Sequence, residues 1–135
     1  MSVGHPLTPQ LWRAYLDSRY TVLGPDGPIE LLIGQPPPPG LQPPFALITA
    51  WNPYSQRLDE DSNRQRQLAL MGALIQQGRR FLPARGEGAD GWYEDSVLIL
   101  DISLADAKSL ANRFEQHAIL WGDQKRINIC KIDYK

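Results

Sequence analysis

Thr49, Trp51 and Asn52 close the apolar run Phe45-Ala-Leu-Ile and stand just before Pro53. Buried strands read as continuous apolar runs and proline cannot continue a ladder, so this strand delivers a hydroxyl, an indole and a carboxamide to its rim. Thr49 and Asn52 can make neutral hydrogen bonds to a ligand, and Trp51 can pack on a flat face. Glu94 and Ser96 offer a carboxylate and a hydroxyl for the same rim, with Glu94 the candidate general base. Asn63 and Arg66, three apart, share one helix face and suit a phosphate or carboxylate, with Arg57 and Arg64 close by. Gln116 supplies an amide and His117 an imidazole.

Each of these residues also has a plainer use. Thr49 and Asn52 can satisfy open backbone groups at a strand-to-loop junction. Asn63 and Arg66 suit a wet helix surface, Gln116 can cap a helix, and His117 suits a structural role. A single carboxylate without a second catalytic group is no catalytic set, so whether the protein is an enzyme stays open. The tract Gly86-Glu-Gly-Ala-Asp-Gly91 lacks the Gly-Lys-Ser/Thr ending of a phosphate-binding loop and reads as a connector. Cys130 lies between Ile129 and Ile132, in a tract suited to packing. One cysteine and two histidines, His5 and His117, do not make a structural zinc site, and no cofactor motif is present.

Composition narrows the function classes. The 135 residues fit one domain (1–135), and the hydrophobic 42% and charged 21% are those of a folded globular chain. Fourteen basic residues balance 15 acidic ones, for a net charge of -1, which excludes strong nonspecific nucleic-acid binding. No apolar run approaches a membrane span, and Met1 to Leu7 lack the basic and apolar regions of a secretory signal. With the lone cysteine, this points to a cytoplasmic protein.

The elements that must position these residues follow from periodicity and turn chemistry. Thr8-Pro9 starts a short helix carrying Leu11, Trp12, Tyr15 and Leu16. Tyr20–Leu23 and Ile29–Ile33 form a hairpin around Gly24-Pro-Asp-Gly-Pro28. Residues 34–44 hold six prolines and are expected to form an extended strap with no backbone ladder. A helix runs from Leu58 to Gly78, opened by Asp59, Glu60 and Asp61, with Leu68, Met71, Leu74 and Ile75 as its apolar face. Strands at Arg80–Ala84 and Trp92–Ile102 follow. Ser103 and Asp106 cap a second helix bearing Leu104, Ala107, Leu110, Ala111 and Phe114, before strands at Ala118–Trp121 and Arg126–Ile132.

From Phe45 to Trp121 the order is strand, helix, strand, strand, helix, strand, that of a ferredoxin-like, split βαβ α+β domain. The expected layout is an antiparallel or mixed sheet with two main helices. Residues 1–44 extend this core (45–121) with a helix, a hairpin and the strap, and 122–135 extend it with a strand. In that topology the strand ending at Trp51 lies between, and antiparallel to, those starting near Trp92 and Ala118. The polar ends then meet, and the start of the long helix faces them.

Ile48-Thr-Ala-Trp-Asn-Pro-Tyr-Ser55, Asn63-Arg-Gln-Arg66, Trp92-Tyr-Glu-Asp-Ser96 and Arg113-Phe-Glu-Gln-His-Ala118 ahead of Trp121-Gly122 together resemble a bacterial family, domain-of-unknown-function family 3293. The resemblance runs from about Leu11 to Ile129. The family pattern carries Phe-Gly-Gln where this chain has Phe114-Glu115-Gln116, a departure that bears on how Gln116 is aimed. The resemblance implies no activity.

The residues point to recognition of a small anionic or nucleotide-like ligand by Thr49, Trp51, Asn52, Asn63, Arg66, Glu94, Ser96 and Gln116. A protein-interaction or regulatory module using the proline strap or a sheet edge is the competing class. A small hydrolase or transferase using Glu94 is a third.

Overall fold

Thr8 accepts a hydrogen bond from Leu11 N at 3.1 Å and Pro9 takes the first helical position, which starts α1 (Pro9–Asp17). In the computed structural model the chain is described from residue 6 to residue 133. His5 and the start of the segment read for a secretory signal lie outside those residues. After α1, β1 (Arg19–Gly24) and β2 (Gly27–Leu31) pair antiparallel. Their turn is tighter than the expected 24–28 loop, because Gly27 takes a φ of 122° and lets the ladder resume before Pro28.

The remaining elements are β3 (Phe45–Ile48), a 3-10 turn (Pro53–Ser55), α2 (Glu60–Gln76), β4 (Phe81–Glu87), β5 (Tyr93–Leu100), α3 (Leu104–Arg113), β6 (Ala118–Gly122) and β7 (Ile127–Lys131). Asp59 and Ser103 cap α2 and α3 by accepting from the backbone N–H groups of Ser62 and Asp106. Gly78, at φ 70°, ends α2's last turn. Among the described residues, three α-helices and a seven-stranded antiparallel sheet, ordered β2-β1-β4-β5-β3-β6-β7, make a mixed α+β fold. β3 lies between β5 and β6, antiparallel to both.

Strand alternation divides the core between two faces. Ala46, Ile48, Val97, Ile99 and Ile119 face Leu70 and Leu74 of α2 and Ala107, Leu110 and Ala111 of α3. On the opposite, inner face, Val22, Leu31, Phe45, Ala84, Leu98, Leu120 and Ile127 bring all seven strands into one cluster. The sheet curls far enough for its edges to meet: Gly34 N donates to Ile127 O and Ile127 N to Gln35 O, each at 2.8 Å. The proline strap, expected to carry no ladder bonds, therefore begins with two, and buries Leu41 over the inner core. Gly122 lets Phe45 lie across this interior, since a Cβ there would overlap the Phe45 ring.

The buried face of α2 differs from the expected one. Leu68 and Ile75 are 64% and 68% exposed, while Asn63, Gln67, Leu70, Ala73 and Leu74 are buried. Two polar side chains hold inward positions because the segment after β3 presents backbone groups that need partners. Hydrophobic periodicity cannot register such a demand.

Candidate functional site

Beyond β3 the chain turns irregularly. Asn52, Tyr54 and Ser55 have φ of 48°, 51° and 61°, in the left-handed region that costs a non-glycine residue about 1 kcal/mol or more. Such a path persists only when its surroundings determine it, and here side chains from α2, from the loop after α3 and from the segment itself do so. Asn63 and Asn52 bond reciprocally, with Asn52 N donating to Asn63 Oδ1 and Asn63 Nδ2 to Asn52 Oδ1, both at 2.8 Å. Leu58 N donates to the same Asn52 oxygen at 2.9 Å, and Ala50 N donates to Gln67 Oε1 at 3.1 Å. Arg66 donates to Ala50 O at 2.6 Å and Phe114 O at 2.7 Å. Gln116 Nε2 donates to Trp51 O at 3.0 Å and Phe114 O at 3.1 Å. Thr49 Oγ1 donates to Asp95 O at 2.6 Å while accepting from Trp51 N at 3.0 Å.

One member of this network faces outward from it. Asn52 Nδ2 donates to Glu94 Oε2 at 2.8 Å, tying the turn to β5. Glu94 as a residue keeps some exposure, yet its carboxyl is desolvated, and that burial pushes its pKa up to about 7 against the opposing effect of the Asn52 bond. Among the described residues no cation pairs with it. Burial likewise holds the nearby Tyr20 phenol protonated well above its usual range. Glu94, Asn52, Ser55, Arg57, Tyr15 and Trp92 line a cavity of about 420 Å³ between α1, the 52–57 turn and the loop joining β4 to β5, a size suited to a small ligand.

The structure thus brings Thr49, Asn52, Asn63, Arg66, Glu94 and Gln116 into one contiguous region, with different tasks. Arg66 and Asn63 have their donors engaged by backbone carbonyls and Asn52, behind the cavity. Ser96 is buried on the inner face, its hydroxyl 3.4 Å from Glu94 O. Trp51 is 6% exposed and packs at 5.4 Å on Tyr93, with its Nε1 buried and unpaired among the described residues. Arg64 pairs with Glu60 and with Asp61. His117 is buried and its Nδ1 lies 2.8 Å from Ser55 Oγ, which is 2.7 Å from Tyr15 OH. Among the described residues, no three His, Cys, Asp or Glu side chains are grouped to hold a metal ion.

Sequence reading misses Tyr15, Ser55 and Gln67. Gln67 had a signal, being four residues after Asn63 and so on the same helix face. Tyr15 had none, because docking of α1 is a long-range contact.

Glu115 adopts φ 60°, the conformation that glycine favours, and its carbonyl accepts from Tyr54 N at 2.6 Å. Gln116 is held in place nonetheless. Replacing Glu115 by Gly is expected to raise stability by about 0.5–1 kcal/mol, because the relieved strain outweighs both the half-exposed Arg66 pair at 3.4 Å and the entropy of glycine. Thermal denaturation checks this, and a fall in Tm would contradict it.

The family described as "Protein of unknown function (DUF3293)" matches residues 48–119. That span is narrower than the Leu11–Ile129 extent of the resemblance, running from the end of β3 into β6 and including the irregular turn, α2, Glu94 and Gln116. It leaves out α1, the hairpin, the strap and β7. No curated protein and no solved structure matches the chain. Since the match takes in over half of the chain and every residue of the Asn52–Asn63–Glu94 network, this protein belongs to the DUF3293 family.

Proposed function

We propose that the protein binds a small, flat, nucleotide-like molecule in the cavity beneath α1. Its face packs against Trp92 and its polar edge meets Glu94. Any anionic part of it lies toward Arg57, since Arg66 and Asn63 are engaged in holding the turn. The observation that carries this is a ligand-sized cavity lined by aromatic walls and a desolvated carboxyl fixed by Asn52. Thr49, Asn63, Arg66 and Gln116 serve from behind, by keeping Asn52 in its left-handed conformation. Ser96 and Trp51 pack around the same framework.

The scaffold for this is a single domain working in the cytosol, with β3 to β6 and the two longer helices in a ferredoxin-like arrangement. The strand order β4-β5-β3-β6 supports that assignment. The strap, the basis of the competing interaction reading, has Leu41 buried and Gly34 and Gln35 bonded to β7 within the chain's own fold.

Heteroaromatic fragments titrated into isotope-labelled protein are expected to shift the amide signals of Asn52, Ser55, Trp92 and Glu94. Trp92→Ala should weaken the best of them about tenfold, the effect of one lost stacking face. Fragments of every charge leaving those amides unmoved would reject the proposal.

A further inference from the structure

We infer that the group meeting Glu94 in this cavity is a cationic nitrogen, an amidinium or protonated amine, and that at this end the site selects a cation over a neutral or an anionic group. This rests on the binding proposal above and adds the charge class of the ligand. Three observations lead to it. First, among the described residues the Glu94 carboxylate accepts one hydrogen bond, from Asn52 Nδ2 at 2.8 Å, whereas a carboxylate can accept about four. Second, among the described residues no cation of the chain pairs with Glu94, Arg57 on the same lining included. Arg85 pairs with Asp95 at 3.0 Å and lies 4.1 Å over the Tyr93 ring, and Arg66 holds the carbonyls of Ala50 and Phe114. Third, among the described residues the cavity lining carries Asp17, Asp90 and Glu94 against the single basic residue Arg57.

An N–H cation would form a charge-assisted, paired contact with the carboxylate, in surroundings where water screens the attraction poorly. Trp92 and Tyr15 present aromatic rings to the same space, and aromatic faces attract cations. An anion at this point would face like charge under the same weak screening. Burial pushes the Glu94 pKa up to about 7, which marks the solvation that the carboxylate lacks and that a cation would replace.

Benzamidine, benzamide and benzoate have nearly the same shape and differ in charge. Binding of each is measured by calorimetry at neutral pH to the full chain and to Glu94→Gln, with amide spectra confirming that both are folded. Benzamidine is expected to bind the wild type at least about tenfold more tightly than benzamide, with benzoate weakest, and this preference should collapse in Glu94→Gln. Equal or tighter binding of benzamide or benzoate overturns the charge assignment while leaving the cavity as a binding site. A benzamidine preference that survives Glu94→Gln overturns the role of Glu94. Failure of all three compounds, and of the wider fragment set, overturns the binding proposal and this inference with it.

Discussion

Glu94→Gln flattens the pH dependence of stability near neutrality, and the variant is more stable than the wild type on the alkaline side by roughly 2–3 kcal/mol. The carboxyl's ordinary value of 4.5 is pushed up to about 7 in the fold, first by burial, with the Asn52 bond acting in the opposite direction. Between those two values the folded chain holds a proton that the unfolded chain has released. Stability is therefore greatest with Glu94 protonated and is lost as pH rises through the folded value. Asp59 and Asp123 respond in the other direction. A side-chain hydrogen bond from Ser62 holds the first below its usual range, and the backbone N–H of Arg126 does so for the second, so their contributions fade only in more acidic solution. Urea denaturation of both proteins across this range isolates the Glu94 contribution as the difference between the two curves. Curves that run parallel would show that the carboxyl is solvated like any surface glutamate.

Asn52→Ala lowers stability by roughly 3–4 kcal/mol, a large share of the 5–15 kcal/mol typical of a small domain. The side chain accepts from Asn63 Nδ2 and Leu58 N and donates to Glu94, so truncation leaves partly buried groups unpaired at about 1–3 kcal/mol for the worst of them. Alanine also tolerates φ 48° less well than asparagine, whose short polar side chain suits that region. Asn52→Gly separates the two effects: it relieves the backbone but not the lost bonds, and should recover about 1 kcal/mol of the deficit. Chemical denaturation of the pair measures both. An alanine variant within about 0.5 kcal/mol of the wild type would mean that Asn63, Gln67 and Gln116 suffice to hold the turn without Asn52.

Local signals proved legible wherever one short stretch contained the whole cause. Thr8-Pro9, Asp59 and Ser103 start helices because the capping oxygen and the N–H groups it serves lie within three residues. The break after Phe45-Ala-Leu-Ile likewise marked the irregular segment, since Pro53 and the run of polar residues are adjacent in the chain. The inward face of α2 is hidden from hydrophobic periodicity for the opposite reason. Leu68 and Ile75 look apolar at helical spacing, but Asn63 and Gln67 take the core side to meet backbone groups of Ala50 and Asn52, more than ten residues upstream.

Residue types alone place carboxylate, amide and hydroxyl chemistry in this chain and mark Asn52 and Glu94 as candidates, because polar side chains at a strand rim are informative wherever they occur. Their division of labour came from three-dimensional packing. Arg66 looks like an anion ligand in the chain and is a clasp on two carbonyls in the fold. Glu94 looks like a rim carboxylate in the chain and is a desolvated carboxyl over a cavity in the fold. Burial and hydrogen-bond partnership are properties of neighbours distant in sequence, and they set whether a charged group is satisfied or left to seek a ligand.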